Sequence, residues 1–383
     1  LAILFSIEDE WSCTSKPVTG KREEEMMNFT KALVGPCLAL GLLSPNGTLA
    51  QEHQFTYASY ATPGWANVES DMWLLDEIKS RSGGRIDFER YFGGSLMSPF
   101  ELVPATGQNV IQIANVPTQY TPDLLPLSDV IQPFITDKLD AASRAYRRVS
   151  TSNEALKAEY EALNLKLLYT QVVSGPIVIS NKKIEKTEDL AGMRIRAQST
   201  LADMIREFGG TPVAMNWSES VDVFSSGGLD GLSSAAFDIA VISGAHELAS
   251  HFWDLGGAGS WATVTTVMSM DAYNNLPPDL REIIDEVSLE ADEKYLELLN
   301  KSIDDNVKVV ANTPGLTVTT STEAMRKEVR ETGEKLREKW IEELEAKGVE
   351  ARSVMEEYVK YVREEEKTST FVPALQRLSE IEQ

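Results

Sequence analysis

From Gln54 onward, short apolar or alternating runs trade places with segments of helical period, and Gly or Pro marks most of the junctions. That alternation restricts the chain to α/β architectures, because separate α and β regions would group elements of one type. Phe55 to Ser59 reads as a buried strand. Trp65, Val68, Met72, Leu75 and Ile78 then recur at helical spacing, Ser82-Gly83-Gly84 ends the helix, and Ile86 and Phe88 alternate with Asp87 and Glu89. This is a βαβ unit. Pro99 opens a further helical stretch that Gly107 closes, and Val110 to Ala114 is predicted as a third strand with Asn115 at its end.

The pattern restarts in the second half. Leu165 to Tyr169, Pro176 to Ser180 and Arg194 to Ala197 read as strands, and Leu201 to Phe208 as a helix ended by Gly209-Gly210. Beyond Pro277-Pro278 an apolar stripe of Leu280, Ile283, Ile284, Val287, Ala291, Tyr295 and Leu298 predicts a long helix. Met325, Val329, Leu336 and Trp340 mark another amphipathic helix, whose many Glu and Lys residues form a solvated face. No internal repeat or low-complexity linker interrupts this order.

The N-terminal region has a different character. Lys31 precedes an apolar run from Ala32 to Leu43, followed by Ser44, Pro45 and Gly47 and then by Thr48-Leu49-Ala50. A charge, a short apolar core and small residues at the end are the anatomy of a secretory signal peptide. Residues 26–50 are therefore expected to be that signal, starting at Met26 or Met27, and residues 1–25 an upstream extension without structural meaning. Both cysteines, Cys13 and Cys37, fall before residue 51, so the exported chain is expected to form no disulfide and to offer no thiolate. No later segment approaches the roughly 20 apolar residues of a spanning helix, so the mature chain is expected not to insert into the membrane.

The formal charge of −23 over 383 residues argues against nucleic acid and anionic membrane surfaces as partners, since both repel such a protein. Familiar chemical motifs fail on inspection. His246 and His251 bracket Glu247 like a zincin helix, but a spacing of five residues turns them about 140° apart on a helix. Gly257-Ala258-Gly259-Ser260-Trp261-Ala262 fits the loose dinucleotide pattern, yet the β-branched run Thr263 to Met268 that follows reads as a strand where a helix is required. There is no phosphate-binding Walker loop and no nucleophile elbow, and three histidines leave few parts for nucleophilic catalysis. No cofactor and no metal are expected.

Glu188-Asp189-Leu190-Ala191-Gly192-Met193-Arg194-Ile195-Arg196, then Phe208-Gly209-Gly210-Thr211-Pro212-Val213, then Trp217-Ser218-Glu219 and Asp230-Gly231 stand in an order that resembles the substrate-binding proteins of TRAP (tripartite ATP-independent periplasmic) transporters. Ser82 to Arg85, Gly93 to Leu96 and Leu276-Pro277-Pro278-Asp279-Leu280 extend the similarity over nearly all of the chain after the signal. The resemblance implies an α/β, two-lobed periplasmic binding protein fold, with an interlobe cleft, crossing strands and a long connecting helix. Lobe I would comprise residues 51–172 plus 263–304, and lobe II residues 173–262 plus 305–383 with the C-terminal helices.

The resemblance also supplies a candidate site. Arg196 aligns with the family arginine that clamps a substrate carboxylate through two parallel hydrogen bonds, a geometry that guanidinium supports and lysine does not. Read from the residues alone it is an ordinary strand-edge arginine, and Arg194, two residues away, competes for the role. Trp217 stands at the family's aromatic position, where it either walls the cleft or packs in the core. Ser234 replaces the amide that often supports the carboxylate, because Leu232-Ser233-Ser234 stands where many relatives have Gln-Glu-Asn. Trp261 and Thr263 sit where a crossing strand enters the interlobe region, and Ser59 and Asn115 end strands that point at it. A second family arginine near Pro176 to Ser180 is missing, which favours a ligand with a single anionic group. The expected function is thus periplasmic capture of a small organic anion for TRAP membrane permease subunits. A binding protein of another transporter or sensor class and a secreted α/β enzyme are the alternatives.

Overall fold

The computed structural model describes residues 52–381; the expected signal segment, Cys13 and Cys37 lie outside them. The first half runs β1 (His53–Ser59), α1 (Ala66–Arg81), β2 (Ile86–Tyr91), α2 (Leu102–Gly107), β3 (Ile113–Pro117), α3 (Leu139–Ser152), α4 (Glu154–Ala162) and β4 (Leu165–Val173). Next come β5 (Ile177–Ser180), β6 (Arg194–Arg196), α5 (Ser199–Glu207), β7 (Thr211–Val213), α6 (Trp217–Ser225), β8 (Gly231–Ala235), α7 (Phe237–Ile242), α8 (Ala245–Leu248) and β9 (His251–Trp253). The chain finishes with β10 (Ala262–Ser269), α9 (Met270–Asn274), α10 (Pro278–Ala311), β11 (Thr317–Thr319), α11 (Glu323–Glu345), α12 (Ala351–Glu365) and α13 (Ala374–Ile381).

Two sheets organise these elements. The first has the order β2-β1-β3-β10-β4 and the second β11-β9-β5-β8-β6-β7. In the first, β1 runs parallel to β2 and β3, whereas β10 enters antiparallel to both β3 and β4. In the second, β6 is parallel to β7 and β8, while β5 is antiparallel to β8 and β9. The arrangement is the α/β, two-lobed one, with one lobe built on each sheet. β4 leaves the first sheet and β5 joins the second within three residues; β9 leaves the second and β10 returns to the first. These are the crossing strands.

Helix α10 is the long connector. Pro278 occupies its first turn, where a missing N–H costs no hydrogen bond, and its 34 residues span about 51 Å. Leu280, Ile284, Val287, Ala291, Tyr295, Leu299 and Ile303 are buried along one stripe, each large side chain contributing about 1.5–3 kcal/mol of apolar burial. That stripe lies on α1 and β4 of the first lobe and on α7 of the second. The C-terminal helices divide their packing, α11 resting on α5 and α12 on α3.

Strand boundaries differ from expectation in two places, β4 running on to Val173 past the expected end at Tyr169, and β3 starting later than expected. The third strand begins at Ile113 and carries Asn115 at its middle. Asn109 takes a left-handed φ of 56°, and the Val110 N–H still closes onto Ala105 O at the end of α2, so the chain is turning where a strand was predicted. Val110 is 63 % exposed in consequence. His246 lies in α8 and His251 begins β9, so the two histidines do not share a helix.

Candidate functional site

β6 presents Arg194, Ile195 and Arg196 in turn, and the ends of this short strand differ sharply. Arg194 is exposed; its Nε donates to Asp230 Oδ2 at 3.2 Å and its Nη2 to Gly227 O at 3.1 Å. Asp230 also accepts the Arg194 backbone N–H at 2.8 Å, and this bond first, then the guanidinium, holds its carboxyl below the usual range. Gly231 follows because β8 runs close to β5 here: a Cβ would stand 2.9 Å from Ile179 O. The Asp-Gly pair therefore anchors β6 to β8.

Arg196 is buried, with 2 % of its surface exposed. Its Nε donates to Met215 O at 3.1 Å, its Nη1 to Ser233 O and Ser234 O at 3.2 Å each, and its Nη2 to Tyr120 Oη at 2.9 Å. None of these acceptors is a carboxylate. Ser234 adopts a left-handed φ of 59°, a costly conformation for a residue with a Cβ, and its Oγ accepts the Gln198 N–H at 3.0 Å. The end of β8 is thus held in a turn while two successive carbonyls face the guanidinium. With four of five N–H directions used, and three of them on fixed carbonyls, the side chain is immobilised for whatever meets its Nη2 edge.

The first lobe brings aromatic rings to that edge. Tyr120, just beyond β3, is stacked on Phe100 at 5.2 Å and meets Tyr60 edge-on at 6.0 Å; Tyr60, just beyond β1, meets Trp65 edge-on at 6.1 Å. Trp217 closes the arrangement from the second lobe, its ring 5.5 Å from the Arg196 guanidinium carbon, and its buried Nε1 has no hydrogen-bond partner among the described residues. An opening of about 470 Å³ runs between the lobes, lined by Tyr60, Trp65, Gly94, Pro99, Trp217 and Glu219 among others. Burial pushes the Tyr60 phenol well up despite the opposing pull of Arg196. Two further bonds cross between the lobes here: Ser199 Oγ donates to Asp129, and Thr200 Oγ1 to Gln132 Oε1 at 2.5 Å.

The expected site residues fall into two groups. Arg196, Ser234 and Trp217 lie together where Tyr120 of the first lobe meets the second, and of the three Trp217 lines the 470 Å³ opening. The others are committed elsewhere. Ser59 Oγ accepts the Ala61 N–H at 3.1 Å. Asn115 donates to Gln171 Oε1 at 2.8 Å and to Thr266 Oγ1 at 3.3 Å, and accepts from Asn67 at 3.2 Å. It belongs to a buried network around Asp71, which accepts the Tyr57, Tyr169 and Thr266 hydroxyls at 2.6 Å each and whose carboxyl burial raises to about 6. Trp261 packs in a cluster with Trp253, Leu255, Met325 and Val329. Thr263 is fully buried, its carbonyl accepting from Thr118 Oγ1 at 3.0 Å. Tyr60 and Tyr120 escaped the sequence reading. Both follow the C-terminal ends of parallel strands, the positions where open α/β sheets place ligand contacts, and that rule was the signal available for them.

The profile of the family "Bacterial extracellular solute-binding protein, family 7" matches residues 68–364. The ectoine/5-hydroxyectoine-binding periplasmic protein UehA of Ruegeria pomeroyi is 22% identical over 316 residues, covering 80% of this chain and 91% of that one. Among solved structures, a TRAP solute-binding protein from Rhodoferax ferrireducens, in complex with copurified benzoate, superposes with a TM-score of 0.75 at 22% identity, covering 82% of this chain and 99% of that one. A TRAP periplasmic solute-binding protein from Bordetella bronchiseptica with bound (R)- and (S)-mandelate gives 0.73 at 19% identity, with 81% and 99% coverage.

Proposed function

Since the chain belongs to family 7 of the bacterial extracellular solute-binding proteins and is a TRAP solute-binding protein, we propose that it works in the periplasm, where it captures a small organic acid with one carboxylate and delivers it to a TRAP permease without chemical change. The observation that carries this reading is the buried Arg196 guanidinium, whose hydrogen bonds all go to neutral oxygens. A buried charge without a counter-charge is costly, and an anion entering the gap relieves that cost while gaining charge-assisted bonds of about 1.5–3 kcal/mol each.

In this reading a ligand carboxylate takes the place of the Tyr120 phenol at Nη2, Trp217 Nε1 donates a second hydrogen bond, and the Tyr60, Trp65 and Trp217 rings cover the ligand body. The aromatic lining supports cargo with a flat or cyclic apolar part. Benzoate, mandelate and ectoine, carried by the relatives, all combine a ring with one carboxylate. Lobe closure about the β4–β5 and β9–β10 crossings would then seal the site.

Isothermal titration of the purified protein against a panel of cyclic monocarboxylates, dicarboxylates and neutral sugars tests the proposal. Micromolar or tighter binding of at least one monocarboxylate is expected. Binding confined to neutral sugars or to dicarboxylates overturns it.

A further inference from the structure

A second buried polar group lies behind the wall of that gap. Asp238, the second residue of α7, is 5 % exposed, and its Oδ1 has no hydrogen-bond partner among the described residues. Burial is the main influence on its carboxyl, raising it to about 6 against the opposing pull of the Ile239 and Asp238 backbone N–H groups at the start of α7, and no cation is among the groups that act on it. At neutral pH this is a buried carboxylate with one oxygen left unpaired and no counter-charge. It opens into a cavity of about 30 Å³, shared with Tyr60, Trp65, Asn67, Gln171 and Tyr295. That volume admits a group about the size of an ammonium head. Tyr60 and Trp65 also line the larger opening near Trp217, so the two spaces share a wall. Tyr60 in turn meets the ring of Tyr120, whose phenol holds Arg196 Nη2, so one chain of aromatic contacts runs from the Arg196 guanidinium to the wall of the Asp238 cavity.

We infer that Asp238 receives a protonated nitrogen of the ligand, so that the cargo is a small zwitterion whose carboxylate meets Arg196 and whose cationic end enters the cavity beside Asp238. The inference rests on the carboxylate reading of Arg196 and narrows it. Cation and carboxylate would then neutralise each other where each alone is costly to bury. Two opposed charges also give selectivity, because an acid lacking the nitrogen leaves Asp238 unpaired and a second carboxylate at that position is repelled.

Matched pairs of probes test it: cyclohexanecarboxylate against piperidine-3-carboxylate, benzoate against 3-(aminomethyl)benzoate, and butyrate against 4-aminobutyrate, titrated calorimetrically into the wild-type protein and Asp238→Asn. At least one nitrogen-bearing member is expected to bind about tenfold or more tightly than its partner, and the variant to abolish that preference while keeping affinity for the plain acid. The wild-type comparison needs no variant, and a melting curve checks that Asp238→Asn is folded. Plain acids binding as well as or better than their partners overturn the Asp238 assignment and leave the carboxylate reading standing, as does a preference that survives in the variant. Failure of both members of every pair to bind counts against the carboxylate reading itself, and the Asp238 assignment falls with it.

Discussion

The Tyr120 phenol of the first lobe accepts a hydrogen bond from Arg196 Nη2 of the second at 2.9 Å. The guanidinium edge turned toward the first lobe is therefore already engaged by a neutral oxygen. Together with Ser199 to Asp129 and Thr200 to Gln132, this contact closes the protein on itself. A carboxylate oxygen is the stronger acceptor, so in the proposed reading it would displace the phenol at a net gain.

Removing that phenol separates closure from capture. Tyr120→Phe is expected to shift the ligand-free protein toward an open form, visible as a larger radius of gyration in small-angle scattering, with saturating ligand restoring the compact value. An unchanged radius in the free variant would show that the Tyr120 contact does not hold the lobes together.

Arg196→Lys keeps the charge and loses the fork. An ammonium cannot hold Met215 O, Ser233 O and Ser234 O while presenting a donor to the gap. Affinity for the bound monocarboxylate is expected to fall at least tenfold, about 1.4 kcal/mol or more, measured by calorimetry. Equal affinity in the variant would remove Arg196 from ligand recognition.

Glu159 sets an expected pH dependence of stability. Its carboxylate accepts the N–H groups of Leu127 at 2.5 Å and Ser128 at 2.9 Å, but burial outweighs these bonds and raises the carboxyl to about 7. A folded-state value above the unfolded one means the folded protein binds the proton more tightly. The contribution is thus full below about pH 4.5 and lost as pH rises through 7, an effect of about 3 kcal/mol for this group. Urea unfolding of wild type between pH 5 and 8 should show stability falling with rising pH. Glu159→Gln should flatten that slope, at a pH-independent cost from the lost acceptor; an unchanged slope would assign the effect to other groups.

Two glycines beside the β9–β10 crossing should respond very differently to alanine. At Gly259, with φ of +71°, a Cβ would stand 2.3 Å from Thr136 O; at Gly257, with the same φ, a Cβ meets nothing within 4 Å. Gly257→Ala is expected to cost about 1–2 kcal/mol from the left-handed backbone alone. Gly259→Ala carries the clash as well and should lower the melting temperature by clearly more. Equal losses would mean the backbone near Thr136 yields freely.

The legible parts of this protein were those written in local pattern. The βαβ alternation and the stripe on α10 announce themselves by period, and the ordered motifs around Arg196 carry the family likeness. Arg196, Trp217 and Ser234 meet because each follows or ends a neighbouring strand of one sheet. The opposite wall was not legible in the same way. Tyr120 and Arg196 are 76 residues apart and lie on different lobes, and no periodicity encodes that meeting. Asn115 shows the converse: its place on β3 was nearly right, yet the network around Asp71 turns its amide inward. Asp238 carries no motif, and only its buried, unpaired oxygen marks it.

The two strand crossings leave the first sheet side by side, since Val173 at the end of β4 is paired with Ala262 at the start of β10. Adjacent tethers define a line, and the rod of α10, gripping α1 on one lobe and α7 on the other, resists sliding or twisting about any other direction. Such tethering favours a single swing over sliding, like a door on two pins. In such a swing the mouth would part along one rim, and a membrane partner touching that rim on both lobes could read from one edge whether cargo is aboard.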